Sequence, residues 1–128
     1  MNLNQVTVPC SDIEKSIEFY SKLGLKLIVH SAKHYARFIC PDGESTFSLM
    51  KEKGLYKNSS IKIYFEVNEL DGKVEELLVK KIQFEELPEN KPWLWREALL
   101  KDPDGNKLVL FSAGENRINP PWRLKKSN

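Results

Sequence analysis

Over Asn4–Val8 hydrophobic and polar positions alternate, with Val6 and Val8 on one side and Gln5 and Thr7 on the other, the period of two that marks a strand. The period then changes. Ile13, Ile17, Tyr20 and Leu23 recur at helical spacing and form one apolar stripe. Ser11 followed by Glu14 predicts a capping box at the start of this helix, and Gly24 predicts a left-handed cap at its end. Leu25–His30, Tyr35–Cys40 and Thr46–Met50 read as strands, with a Pro-Asp-Gly turn between the last two.

The same layout then returns. Ile61–Val67 is a predicted strand, Asn68 a predicted cap, and Leu70, Val74, Leu77 and Leu78 the apolar side of a second helix. Gln83–Glu86 reads as a short strand, residues 88–92 as a polar loop, and Leu94–Leu100 and Lys107–Phe111 as two more strands around the turn Asp102-Pro103-Asp104-Gly105. An offset of 57 lays Val8 on Phe65, Ile13 on Leu70, Ile17 on Val74 and Gln5 on Lys62; past the turns the offset becomes 62. The expected class is α+β: two βαβββ modules in one domain spanning 1–128, module 1 over about 1–53, module 2 over about 61–113, and a tail over 114–128. Gly54 to Ser60 is the natural link. Each copy is too small to bury a core alone, so the two must complete one sheet, together or with a second chain, around a groove.

Composition changes this picture little. At 128 residues, 41% hydrophobic and 30% charged, the chain has the make-up of a soluble globular domain. A net charge of +2 with interspersed signs gives no nucleic-acid footprint, and the short run Arg123-Leu124-Lys125-Lys126 reads as a solvated tail. No apolar run approaches the roughly 20 residues that cross a bilayer, so no membrane partner is expected. The start, MNLNQVTV, lacks the basic and apolar regions of a signal peptide. Cys10 and Cys40 then read as reduced thiols of a cytoplasmic protein.

The segments SDIEKSIEFYSKLGLKL and LLKDPDGNKLVLF resemble the vicinal oxygen chelate superfamily, which includes glyoxalase I, extradiol dioxygenases, fosfomycin-resistance enzymes and bleomycin-resistance binding proteins. The resemblance spans residues 1 to about 113. It implies two βαβββ modules curled around a cavity, within a homodimer. In metal-dependent members it further implies divalent-metal ligands on the first and last strands of each module. Those positions carry Gln5 and Lys62 on the first strands, and Val109 with either Ser48 or Phe47 on the last ones. Lysine's ammonium has donors but no lone pair, and valine has no donor atom at all. No metal or other cofactor is therefore expected, although a divalent metal is what the resemblance implies for the family. His30 and His34, on strand and turn, offer no replacement site.

Strand parity assigns the cavity lining. If Ile63, Phe65 and Val67 face the helices, then Lys62, Tyr64 and Glu66 face the hollow, as do Gln5 and Thr7, and Lys107, Val109 and Phe111. Lys62 and Glu66 are within reach of a mutual ion pair and could clamp an anionic or zwitterionic molecule, with Tyr64 as a stacking platform. Trp95 and Arg96, next to Trp93, could grip a flat or anionic ligand at the rim. The tail, with Pro120, Pro121 and Trp122, should pack across a partner subunit or over the cavity mouth. The expected function is metal-free binding of a small organic molecule in the inter-module groove, through Gln5, Thr7, Ser48, Lys62, Tyr64, Glu66, Trp95, Arg96 and Val109, by a homodimer. The rivals are a lyase, isomerase or dioxygenase with a displaced metal site, a metal-free acid–base catalyst using Glu66 and Lys62, and a dimeric interaction or regulatory module.

Overall fold

The computed structural model describes residues 1–54 and 59–125; most of the link expected at Gly54 to Ser60 therefore lies outside the described residues. Module 1 is β1 (Gln5–Cys10), α1 (Ile13–Leu23), β2 (Lys26–Ser31), β3 (Tyr35–Ile39) and β4 (Thr46–Lys51). Module 2 repeats the order as β5 (Lys62–Glu66), α2 (Leu70–Val79), β6 (Glu86–Asn90), β7 (Arg96–Lys101) and β8 (Lys107–Ser112). Each module builds a four-stranded mixed sheet, in the orders β1-β4-β3-β2 and β5-β8-β7-β6. The first and last strands run parallel, and the remaining pairs antiparallel.

Local chemistry departs from expectation in four places. Asp12, not Ser11, caps α1, its carboxylate accepting the Lys15 amide proton at 3.1 Å. Ser11 is already engaged, since its amide and hydroxyl both donate to Asp104 of module 2. Glu69, not Asn68, occupies the cap position of α2, and its side chain makes no capping bond. β6 forms at Glu86–Asn90, beyond the predicted Gln83–Glu86 and inside the predicted loop. It is an edge strand, where Pro88's missing N–H interrupts no interior ladder, and its pairing with β7 shifts register between Glu86 and Glu89. β7 begins at Arg96 because Leu94 sits at φ +66 in a turn closed by Lys91 and Trp95. Gly24 does close α1 in the left-handed region, at φ +109.

One core serves both modules. It gathers Tyr20, Phe38, Phe47 and Leu49 with Leu77, Leu100 and Leu108, and the rings of Phe47 and Phe65 meet across the module boundary at 5.9 Å between centroids. The helix-facing sides of both sheets are thus used together. The opposite face of each sheet is turned away from this core, and no hydrogen bond, ion pair or ring contact among the described residues joins those two outer faces. A polar staple seals the boundary: Tyr20 donates to buried Asp102 at 2.6 Å, and Asn106 donates to both Asp102 and the Pro9 carbonyl.

Candidate binding site

The register of the parallel pairs decides which residues share the outer faces. Thr7 lies beside Ser48, and Tyr64 beside Val109. Ser48 and Val109 are therefore equivalent, an offset of 61 rather than 62, because the first hairpin is one residue longer. Phe47 turns into the core. This resolves the alternative between Ser48 and Phe47 in favour of Ser48 on the outer face.

The outer face of the first sheet is a hydrogen-bonded polar strip. Gln5 donates through Nε2 to Ser48 Oγ at 2.7 Å and to Thr7 Oγ1 at 3.2 Å, while its carbonyl oxygen accepts from Thr46. Ser48 is fully buried and shares a 2.7 Å bond with the Tyr35 hydroxyl. Arg37 Nε donates to that same hydroxyl at 2.8 Å, and its guanidinium lies 5.4 Å from the Tyr35 ring centroid. The bonds from Ser48 and then Arg37 hold the Tyr35 phenol below its ordinary range. Tyr35 and Arg37 are absent from the residues singled out by sequence. Parity on β3, with Ala36 and Phe38 inward, would have placed both here.

The outer face of the second sheet is aromatic. Trp95 stacks on Phe111 at 4.6 Å and 16°, and the Tyr64 ring meets both edge-on at 5.9 and 5.7 Å. Val109, Ala113 and Leu99 complete a second apolar cluster, separate from the main core. Tyr64 remains 45% exposed and Trp95 half-buried, so these two rings are the open part of the cluster, while Phe111, Val109 and Ala113 are buried beneath. Burial, and then the charge of Glu97, raise its phenol above the ordinary value. Glu97 is itself buried and accepts the Trp93 indole proton at 2.7 Å. Trp95 donates to the Asn116 carbonyl at 3.2 Å, which draws the start of the tail toward this face.

Two expected contacts are not formed. Arg96 lies on the helix side of its sheet, where it grips Asp71 of α2 through Nε at 3.0 Å and Nη2 at 2.9 Å. Trp95, in the turn before β7, stacks on Phe111 of the outer face, so the two residues do not share a face. Glu66 pairs with Arg117 of the tail at 3.6 Å instead of with Lys62. Trp122, further along the tail, is 56% exposed within the chain.

A cleft of about 590 Å³ also runs between the modules beside β5, bounded by Leu25, Cys40 and Asp42 on one side and Tyr64, Glu66 and Lys73 on the other. Of the residues expected to bind ligand, Tyr64 and Glu66 border this cleft; Gln5, Thr7 and Ser48 do not.

The donor set does not suit a divalent cation. Lys62 offers an ammonium and Val109 a hydrocarbon, while the Gln5 amide and Ser48 hydroxyl are spent on each other and on Thr46 and Tyr35. Among the described residues no three His, Cys, Asp or Glu side chains converge.

Comparison with solved structures supports the same architecture. A glyoxalase/bleomycin resistance protein/dioxygenase from Nocardioides superposes with a TM-score of 0.77 at 22% identity, covering 98% of this chain and 90% of that one. A bleomycin-binding protein complexed with bleomycin gives 0.73 at 21% identity, covering 88% and 98%. A lactoylglutathione lyase from Agrobacterium tumefaciens gives 0.71 at 15%, covering 87% and 92%. A binder and a lyase on one fold mean that the fold alone does not name a reaction. No curated protein matches the chain significantly. The model of the Glyoxalase/Bleomycin resistance protein/Dioxygenase superfamily, however, matches residues 2–110, and with its paired βαβββ modules this chain belongs to that superfamily.

Proposed function

We propose that the protein binds a small, flat organic molecule, without a metal, in a groove walled by the polar face of one sheet and the aromatic face of the other. The observation that carries this reading is the Tyr64–Trp95–Phe111 cluster: three rings in mutual contact, outside the main core, with Tyr64 half open to solvent. A soluble domain seldom keeps such a surface uncovered without a use for it. Aromatic walls with a few placed polar groups are the usual make-up of a small-molecule pocket.

No contact among the described residues joins the two walls within one chain, so a groove bounded by both calls for a second copy. Two features favour that copy as the partner. β1 and β5 are edge strands whose outer backbone groups are left without strand partners, the kind of edge that proteins cover. A twofold arrangement would also set the polar wall of each copy against the aromatic wall of the other, giving two identical grooves. Gln5 and Thr7 would line one side, with Ser48 buried beneath them, and Lys62, Tyr64 and Trp95 the other, with Val109 buried beneath; Glu66 would meet the ligand at the tail.

The test is calorimetric titration with 2-naphthamide, a flat neutral probe, against the wild type and Trp95→Ala. Binding that is lost in Trp95→Ala supports the reading. Binding unchanged in Trp95→Ala, or none in the wild type, rejects it.

A further inference from the structure

Arg37 is a guanidinium that makes no ion pair among the described residues. Arg96 is paired with Asp71 and Arg117 with Glu66, while Arg123, on the exposed tail, reaches only the Asn119 side chain. Arg37 instead spends Nε on the neutral oxygen of Tyr35 and has no ion pair among the described residues; its two terminal amino groups make no hydrogen bond there either. It stands on the outer face of β3, opposite Ser48 of β4, within the strip that begins at Gln5. A positive charge lies on the proposed ligand wall with half its fork free.

The direction of the hydrogen bonds adds a second group. Gln5 Nε2 can only donate, so Ser48 accepts from it; the Ser48 oxygen has a second lone pair, so in its bond with Tyr35 either hydroxyl can be the donor. Arg37 Nε can likewise only donate. When Ser48 is the donor, the Tyr35 oxygen receives two donors from the protein and the phenolic proton has no protein acceptor. In that arrangement the proton is free for whatever occupies the groove, beside the free amino groups of Arg37.

We propose that the polar wall is an anion seat: Arg37 and the Tyr35 hydroxyl together hold the carboxylate of an aromatic carboxylic acid whose ring lies on the Tyr64–Trp95–Phe111 wall. The inference rests on the function proposed above and specifies the ligand class for that site. A planar guanidinium fork fits a carboxylate, and a phenol donor beside it completes the oxygen's hydrogen bonding. Gln5 and Ser48 are positioning residues: Ser48, held by Gln5, turns the Tyr35 proton outward by donating to its oxygen, without touching the ligand's charge.

The experiment compares 2-naphthoate with 2-naphthamide, the same ring system with and without the charge, by calorimetric titration of the full chain. Wild type should bind the naphthoate about tenfold tighter or more, as charge-assisted hydrogen bonds outweigh neutral ones. Arg37→Gln should bring naphthoate down to the level of the amide and leave the amide unchanged. Tyr35→Phe should weaken naphthoate severalfold, and its affinity should stay flat at the alkaline pH where the wild type begins to lose affinity as Tyr35 ionises. Circular dichroism of each variant checks that it is folded; both substitutions lie outside the main core. Equal affinity for the two probes, or a preference that persists in Arg37→Gln, overturns the anion seat. If both probes bind alike and Trp95→Ala abolishes both, the groove stands and this inference alone falls. If neither probe binds, the groove falls and the inference with it.

Discussion

The Tyr20 hydroxyl of module 1 donates to the Asp102 carboxylate of module 2 across 2.6 Å, both side chains buried. Asp102 also accepts the backbone amides of Asp104 and Asn106 at 2.9 Å each and the Asn106 side-chain amide at 2.7 Å, while Asn106 reaches the Pro9 carbonyl. The two sequence segments that carry the family resemblance are therefore halves of one device. Its work is to join the modules, and it lies away from the ligand walls.

Removing one partner of that bond leaves a buried polar group unmatched, which costs about 1–3 kcal/mol. Tyr20→Phe and Asp102→Asn should each lower stability by that order in urea denaturation. The double mutant should lose less than the sum, since the two share one bond. Additive losses would mean that the bond contributes nothing.

Stability should also fall in alkaline solution. Burial, followed by the charges of Asp104 and Asp102, raises the Cys10 thiol from 9.0 to about 11. Burial and Asp102 push the Tyr20 phenol far above its ordinary range. Both groups hold their protons in the folded state after the unfolded chain has released them, so the unfolded state binds fewer protons and stability declines as pH rises. For Cys10 the loss should run between pH 9 and about 11. Thermal unfolding across that window should show the decline, and Cys10→Ala should make it shallower. A wild-type curve that is flat above pH 9 refutes the assignment.

Arg96 separates structure from binding. Its bidentate pair with Asp71 holds the Asp71 carboxyl below the usual range, but Asp71 is largely exposed. Exposed pairs contribute about 0.2–1 kcal/mol. Arg96→Ala should cost no more than that, and should leave 2-naphthamide affinity unchanged in calorimetry. A loss of binding would place Arg96 at the groove after all.

In sedimentation equilibrium the chain should run at twice its own mass, with a melting temperature that rises with protein concentration, as mass action requires of a folded dimer. Tyr64→Glu places a charge on the apolar wall and should shift the equilibrium toward single chains without unfolding them. A wild type that stays monomeric at every concentration argues against a groove shared by two copies.

Chelation should change nothing. Lys62 and Val109 stand where the family's metal ligands would be, so dialysis against EDTA should leave both the melting temperature and naphthamide affinity as they were. A drop on chelation, restored by one divalent metal, would overturn the metal-free reading.

How much could be read without coordinates follows from range. The alternation of Val6 and Val8 with Gln5 and Thr7, the helical stripe through Ile13 and Tyr20, and the left-handed Gly24 are set by neighbours a few residues away, and the chain determined them by itself: the paired modules and most of the strands follow from such local periods, while the family rests on the resemblance of two motif segments. The caps at Ser11 and Asn68 were mistaken because distant or subtle competition decides a cap; Ser11 was claimed by Asp104, 93 residues away. A shift of a single residue in hairpin length settled Ser48 over Phe47, and contacts made at long range put Trp95 and Arg96 on opposite faces, Trp95 on Phe111 and Arg96 against α2. Tyr35 and Arg37 carry no motif; only the pairing of β3 with β4 brings them to Ser48 and Gln5. Tertiary structure alone decided the two outer walls, because which side of a sheet is spent on the core depends on how both modules share their helices, a contact between residues far apart in sequence.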